Sequence, residues 1–281
     1  MRFYYYRKVI QMLNPEEIVN GFVLAAKKKA ELPLLQMMLL ALLAGLIVAL
    51  GGVTTNSLAA TIDNPSLIRL VAGLLFPFCL AIIILIGAEL FTGNCLIAMS
   101  VLSRQTAFKS MLRNWLVVYL GNLLASLAVA AAIVFSGQMD YAGGEVAVYS
   151  IKLAAYKCSL PFASAFIFGV FCNILVCLGV LCSFSAKDTL GKIAGAYLPV
   201  AFFVISGFEH SVANMYYIPA GLFALKIPQY AALAWDAGIN TASLTWASFL
   251  FNNLLPVSFG NLLGGLAFGC LIWVCWKGSR E

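Results

Sequence analysis

Glu209 and His210 stand side by side in Gly207-Phe208-Glu209-His210-Ser211-Val212-Ala213-Asn214, with apolar sequence on both flanks. His210 is the chain's only histidine, and Glu209 is one of eleven acidic residues. A carboxylate beside an imidazole can exchange protons, accept hydrogen bonds or meet a charged ligand. Ionisable side chains in an apolar span are costly, and they mark ion paths, proton relays or paired structural groups. A lone histidine in such a place can also be a satisfied core residue, so its surroundings must decide.

Those surroundings are membrane-like. Of 281 residues, 63% are hydrophobic and 10% charged, with a mean hydropathy of +0.97. A soluble domain carries charge on about a quarter of its residues. Six apolar runs are long enough to cross a bilayer as helices: Leu32 to Val53, Ile68 to about Leu90, Met111 to Phe135, Leu160 to Phe184, Ile193 to Leu225 and Asn253 to Trp276. The second and fifth are long and interrupted by polar residues. An even count places both termini on one side. Thirteen of the seventeen basic residues then share that side: Arg2, Arg7, Lys8, Lys27, Lys28, Lys29, Arg104, Lys109, Arg113, Lys187, Lys192, Lys277 and Arg280. Arg69, Lys152, Lys157 and Lys226 remain on the other. Positive charge marks the cytoplasmic side. No stripe of basic and aromatic residues suggests nucleic acid, and no signal peptide is expected.

Residues 15–30 read as an amphipathic surface helix, with Pro15, Glu16 and Glu17 in its first turn and Lys27 to Lys29 in its last. The eight cysteines fall mostly within spans, without a CxxC pair. They read as small apolar residues, and no metal is expected.

The two interrupted spans match one another. Gly87-Ala88-Glu89-Leu90-Phe91-Thr92-Gly93-Asn94 and Gly207 to Asn214 share Gly-x-Glu-x-x-x-x-Asn. The spans that follow share Asn-x6-Gly-Asn, at Asn114 to Asn122 and Asn253 to Asn261. Two matches in the same order indicate a duplication, covering 32–136 and 158–277 of a single transmembrane channel domain. Each half has three spans, an odd number, so the halves insert in opposite senses as an inverted repeat with matched broken helices. Glu89 and Glu209 then share a job: accepting hydrogen bonds from backbone amides freed at the breaks, beside Gly87 and Gly207. The glycines of the first, third and sixth spans let helices approach closely. His210 has no partner in the first half, where Leu90 stands, which argues for a role beyond architecture. Lys157 has two open readings, an interfacial lysine or an anion-attracting charge at a pore mouth.

Gly87 to Asn94, Asn114 to Asn122, Phe171-Cys172-Asn173-Ile174-Leu175-Val176-Cys177-Leu178-Gly179 and Ser206 to Pro219 resemble signatures of the formate/nitrite transporter family of anion channels. The likeness runs from the amphipathic helix to Trp276, and is greatest to the hydrosulfide channel branch. It implies an aquaporin-like all-α fold of six spans, broken in the second and fifth, assembled as a homopentamer with a pore in every protomer. The family's central histidine matches His210, its vestibule lysine Lys157, and its pore asparagines Asn173 and Asn214. A loop with Leu90, Phe91 and Thr92 lies near the cytoplasmic end of the path. The cytoplasmic constriction matches Phe76 and Leu80, and the periplasmic one Phe203. Substrates would be small monovalent anions of weak acids: hydrosulfide first, then formate or nitrite. No cofactor, nucleotide site or enzymatic activity is implied. A proton-coupled transporter in which Glu209 and His210 cycle protons is the alternative.

Overall fold

The computed structural model describes residues 13–276; Arg2, Arg7, Lys8, Lys277 and Arg280 lie outside them. Helix α1 (Pro15–Ala30) begins in a capping box, where Asn14 Oδ1 accepts from the Glu17 amide and Glu17 reaches back to the Asn14 amide, both at 2.9 Å. Then come α2 (Leu34–Ala59), α3 (Pro65–Leu75), α4 (Phe78–Ile86), the short α5 (Phe91–Asn94), α6 (Ile97–Leu102) and α7 (Phe108–Phe135). The second half is built from α8 (Glu145–Ser159), α9 (Phe162–Ser185), α10 (Thr189–Ser206), α11 (Ser211–Ala224), α12 (Pro228–Asp236) and α13 (Leu255–Trp276). A π-helical stretch, Ser248–Leu254, leads into α13.

Among the described residues, six segments are long and apolar enough to cross a membrane: α2, α3 with α4, α7, α9, α10, and Ser248–Trp276. The second and fifth expected spans are broken at matching glycines. Gly87 (φ 71°) ends α4 and Gly207 (φ 74°) ends α10 in the left-handed conformation that glycine adopts without strain. In both, the next amide bonds back to a carbonyl five residues earlier, Ala88 to Ile83 and Phe208 to Phe203, at 3.0 Å. The chain then extends through Leu90 and His210 (φ −110° for both) before helix resumes.

The packing repeats as well. α2 lies along α7 as α9 lies along α13, while α10 crosses to α3 and α4 of the other half. Close approach of α9 and α13 depends on glycine: a methyl group on Gly260 or Gly264 would collide with the backbone of Phe166 or Val170. In a bilayer, where lipid tails are as apolar as leucine, such close contact is a main source of helix association.

Helix α8 was not anticipated: the sequence pattern assigns no element before the fourth span, yet residues Glu145–Ser159 form this counterpart of α1. Advancing by the separation of Lys29 and Lys157 maps the buried Val19, Phe22, Val23, Ala26 and Ala30 onto Ala147, Ser150, Ile151, Ala154 and Cys158, all buried.

Candidate functional site

At each break the structure sets one buried carboxylate against one lysine. Lys157 Nζ lies 2.7 Å from Glu209 Oε1, and Lys29 Nζ lies 2.6 Å from Glu89 Oε1. Around each pair the same amides recur. Asn214 Nδ2 donates to Glu209 Oε2 at 2.6 Å and to Asn253 Oδ1 at 2.7 Å. Asn94 Nδ2 donates to Glu89 Oε2 at 2.6 Å and to Asn114 Oδ1 at 2.8 Å. Asn253 and Asn114 reach the carbonyls of Lys157 and Lys29 at 3.0 and 3.1 Å. Helices α8 and α1 are thereby tied to the breaks.

The expected role of the glutamates needs correcting here. Their carboxylates accept from lysine and asparagine side chains, and the backbone of each break is held by a neutral amide instead. Asn122 Oδ1 accepts from the Phe91 amide at 3.0 Å, and Asn122 Nδ2 donates to the Glu89 carbonyl at 3.0 Å. Asn261 does the same for Ser211, at 2.9 Å, and for Glu209, at 3.0 Å. The reason is chemical: freed backbone needs one donor and one acceptor, which an amide has and a carboxylate lacks. A buried carboxylate needs a cation. The two asparagines of Asn-x6-Gly-Asn thus divide the work, the first serving the ion pair and the second the backbone.

Three cavities follow one another through the protomer. On the α8 side a vestibule of about 220 Å³ is lined by Arg69, Phe76, Lys157, Phe203, Glu209, His210 and Asn214, among others. On the α1 side a vestibule of about 290 Å³ is lined by Phe22, Lys29, Leu80, Ile83, Leu90, Asn94 and Lys192, among others. Between them lies a chamber of about 20 Å³ that shares Phe76, Phe203 and His210 with the first and Leu80, Ile83 and Leu90 with the second. Such a volume holds about one water-sized group. The Phe76 and Phe203 rings meet edge to face, centroids 6.3 Å apart, and the Phe203 ring stacks on the His210 imidazole at 5.8 Å.

The imidazole's hydrogen bonds fix its tautomer. Nδ1 accepts from the Ala213 amide at 3.0 Å, capping α11, so it carries no proton. Nε2 therefore carries the proton and donates it to Thr92 Oγ1, at 3.0 Å. Were Thr92 the donor, both ring nitrogens would be bare. The Thr92 hydroxyl makes no other hydrogen bond among the described residues, so its proton stays available.

Residues 16–275 match the model of the family described as formate/nitrite transporter. The chain belongs to the formate/nitrite transporter family. A probable formate transporter of Methanothermobacter thermautotrophicus is 34% identical, over 92% of this chain and 96% of that protein. The formate channel FocA of Haemophilus influenzae is 36% identical, over 79% of this chain and 80% of that protein. Among solved structures, a pentameric formate channel with formate bound superposes with a TM-score of 0.76 at 33% identity, covering 86% of this chain and 97% of that one. An ion channel of the family gives 0.80 at 29% identity, covering 92% and 98%. The protein is thus a multi-pass membrane protein of a transporter and channel family.

Four residues singled out from the sequence, Glu89, Phe91, Thr92 and Asn173, line none of the three cavities. The Phe91 ring packs edge-on against Tyr119, centroids 4.8 Å apart, toward α7. Asn173 Nδ2 donates to the Asn261 carbonyl at 2.6 Å, linking α9 to α13. Phe76, matched to a constriction with Leu80, stands with Phe203 on the other side of the chamber, and Leu80 stands with Leu90. From the sequence, Arg69 and Lys192 count only toward the charge on either side of the membrane, and Lys29 only as a last-turn lysine of the amphipathic helix. The repeat held the signal for Lys29: once Lys157 precedes the fourth span, a counterpart must precede the first. Its nearest sequence likeness misleads, because Leu24-Ala25-Ala26 and Leu153-Ala154-Ala155 align one register off the true match.

Proposed function

We propose that this protein is a channel for small monovalent anions of weak acids, with a path through each protomer. The chain of cavities carries this reading, because the chamber shares walls with both vestibules and His210 stands at one of its mouths. Formate is the anion that the named relatives favour. Hydrosulfide, the first expectation from sequence, and nitrite have the same charge and compact size. The α1 side faces the cytoplasm, as the distribution of Lys and Arg supports, so both termini lie there and the membrane is a prokaryotic inner membrane. The assembly is a homopentamer, supported by likeness to a solved pentameric channel.

An anion entering from the α8 side meets Phe76 and Phe203, and leaves past Leu80 and Leu90. Apolar rings of this kind resist a bare charge. Between them His210 lines the chamber, and the Thr92 hydroxyl bonded to it, polarised by that bond, is the donor we assign to the ion. The ion crosses nearly as the neutral acid, its charge shared with that hydroxyl proton and no proton carried through with it. His210 acts as a fixed donor rather than a proton relay, since Nδ1 is engaged by a backbone amide that has no proton to give. Glu89 and Glu209 are ion-paired and bonded to asparagine, which favours a channel over a carrier whose carboxylates cycle protons.

Purified protein in liposomes should pass formate, nitrite and hydrosulfide down their gradients. Absence of flux above protein-free liposomes for all three would overturn the reading. Uphill accumulation that tracks a proton gradient would replace the channel with a coupled transporter.

A further inference from the structure

Lys157 is poorly placed to attract anions. It is 9% exposed, paired with Glu209 at 2.7 Å, and lies over the Tyr217 ring, 5.7 Å from its centroid. Seen from the vestibule mouth, an ion pair this close has no net charge. His210 adds none, because Nδ1 accepts from the Ala213 amide and so carries no proton. Among the described residues Glu209 is the only acid lining this cavity; the remaining titratable walls are Tyr149, Tyr156 and Tyr217. One lining charge is left over.

We infer that Arg69 is the anion-gathering residue of the α8-side mouth, supplying the net positive charge that Lys157 does not. Arg69 is exposed, near the start of α3, and lines the same vestibule. No carboxylate lies within 4 Å of its guanidinium among the described residues. Its one hydrogen bond among them is a long one, Nη1 to the Ile205 carbonyl at 3.4 Å. A guanidinium has five N–H donors, so most of its fork is unspent. The group is held at the end of α10: a methyl group on Gly207 would come within 3.1 Å of Nη2. Carbonyls at a helix C-terminus are partly negative, which anchors the cation at the rim while leaving its charge uncompensated by any acid. The α1 side repeats the arrangement, with Lys29 paired to Glu89 while Lys192 lines the vestibule without a carboxylate within 4 Å.

Capture by a fixed surface charge raises encounter rate and is screened by salt, whereas a packing role is not. The inference rests on the channel reading, and formate is the probe. Initial formate flux into proteoliposomes is measured at subsaturating formate for wild type, Arg69→Lys and Arg69→Gln. Ionic strength is varied with an impermeant salt from about 0.01 M to about 1 M, where the screening length falls from about 30 Å to about 3 Å. Arg69→Gln keeps a donor for the Ile205 carbonyl and loses the charge. It should lower flux roughly threefold to tenfold at low salt and match wild type at high salt. Arg69→Lys should stay within about twofold throughout. Equal loss in Arg69→Gln at every ionic strength would show a positioning role and overturn the inference, as would unchanged flux at low salt. A wild type that passes formate while Arg69→Gln shows no salt-dependent loss sinks this inference alone. A wild type that passes none of the three anions sinks the channel reading and this inference together.

Discussion

Thr92 and His210 are hydrogen-bonded at 3.0 Å, and each is where its break departs from the other. The repeat sets Leu90 against His210 and Val212 against Thr92. The glycine, the glutamate, its lysine and three asparagines are duplicated in each half, while Ala88 and Phe208, Phe91 and Ser211, and Gly93 and Ala213 also differ. Thr92 and His210 meet each other, on elements contributed by opposite halves, and His210 lines the central chamber.

Thr92→Val removes the hydroxyl with almost no change in volume. A hydrogen bond to a charged group contributes about 1.5–3 kcal/mol, so formate flux should fall roughly tenfold to a hundredfold, while Thr92→Ser retains most of it. Stopped-flow uptake into proteoliposomes reads the difference. Equal flux in Thr92→Val and wild type would remove Thr92 from the path.

His210→Phe loses both the donor to Thr92 and the cap on the Ala213 amide. Flux should fall at least as far as in Thr92→Val, with little further loss in the double variant, because the two side chains act through one bond. Additive losses would show that they act separately.

Phe76→Ala and Phe203→Ala each remove one ring of an edge-to-face pair. Either should admit a larger monocarboxylate such as lactate, which the wild type should exclude because its chamber is only about 20 Å³. Osmotic or isotope uptake of lactate checks this. Continued exclusion in both variants would place the size limit elsewhere.

Lys157→Met leaves Glu209 charged and buried without its cation. Breaking a buried pair costs about 3–5 kcal/mol, and removing both partners restores much of that. Lys157→Met should therefore melt well below wild type in detergent, and Lys157→Met with Glu209→Gln should recover part of the difference. Lys29→Met should cost less, because Lys29 is 31% exposed at its side chain against 11% for Lys157. A larger loss for Lys29→Met would contradict the burial argument.

Much of the architecture was legible because the membrane writes it into composition. Long apolar runs must be helices, and the shared Gly-x-Glu and Asn-x6-Gly-Asn spacings exposed the duplication. What stayed hidden depended on contacts far apart in the chain. Lys29 looks like one of three equivalent lysines, and only the partner 60 residues away distinguishes it. Helix α8 was masked because half of its buried face is alanine and serine, which give weak periodicity beside the greasy spans. Phe91 reads as a pore aromatic because it adjoins Thr92, but Asn122 holds its amide and its ring turns to Tyr119. Proximity in sequence could not tell which way that ring points.

The chamber between Phe76 and Leu80 has room for a single small occupant. Two ions cannot sit there together, so the chamber passes them singly. Each crossing must therefore finish before the next begins, and the permeant species must take turns. In a mixture, formate and nitrite would inhibit one another, and transport of either would level off at high concentration, as turnover does in an enzyme.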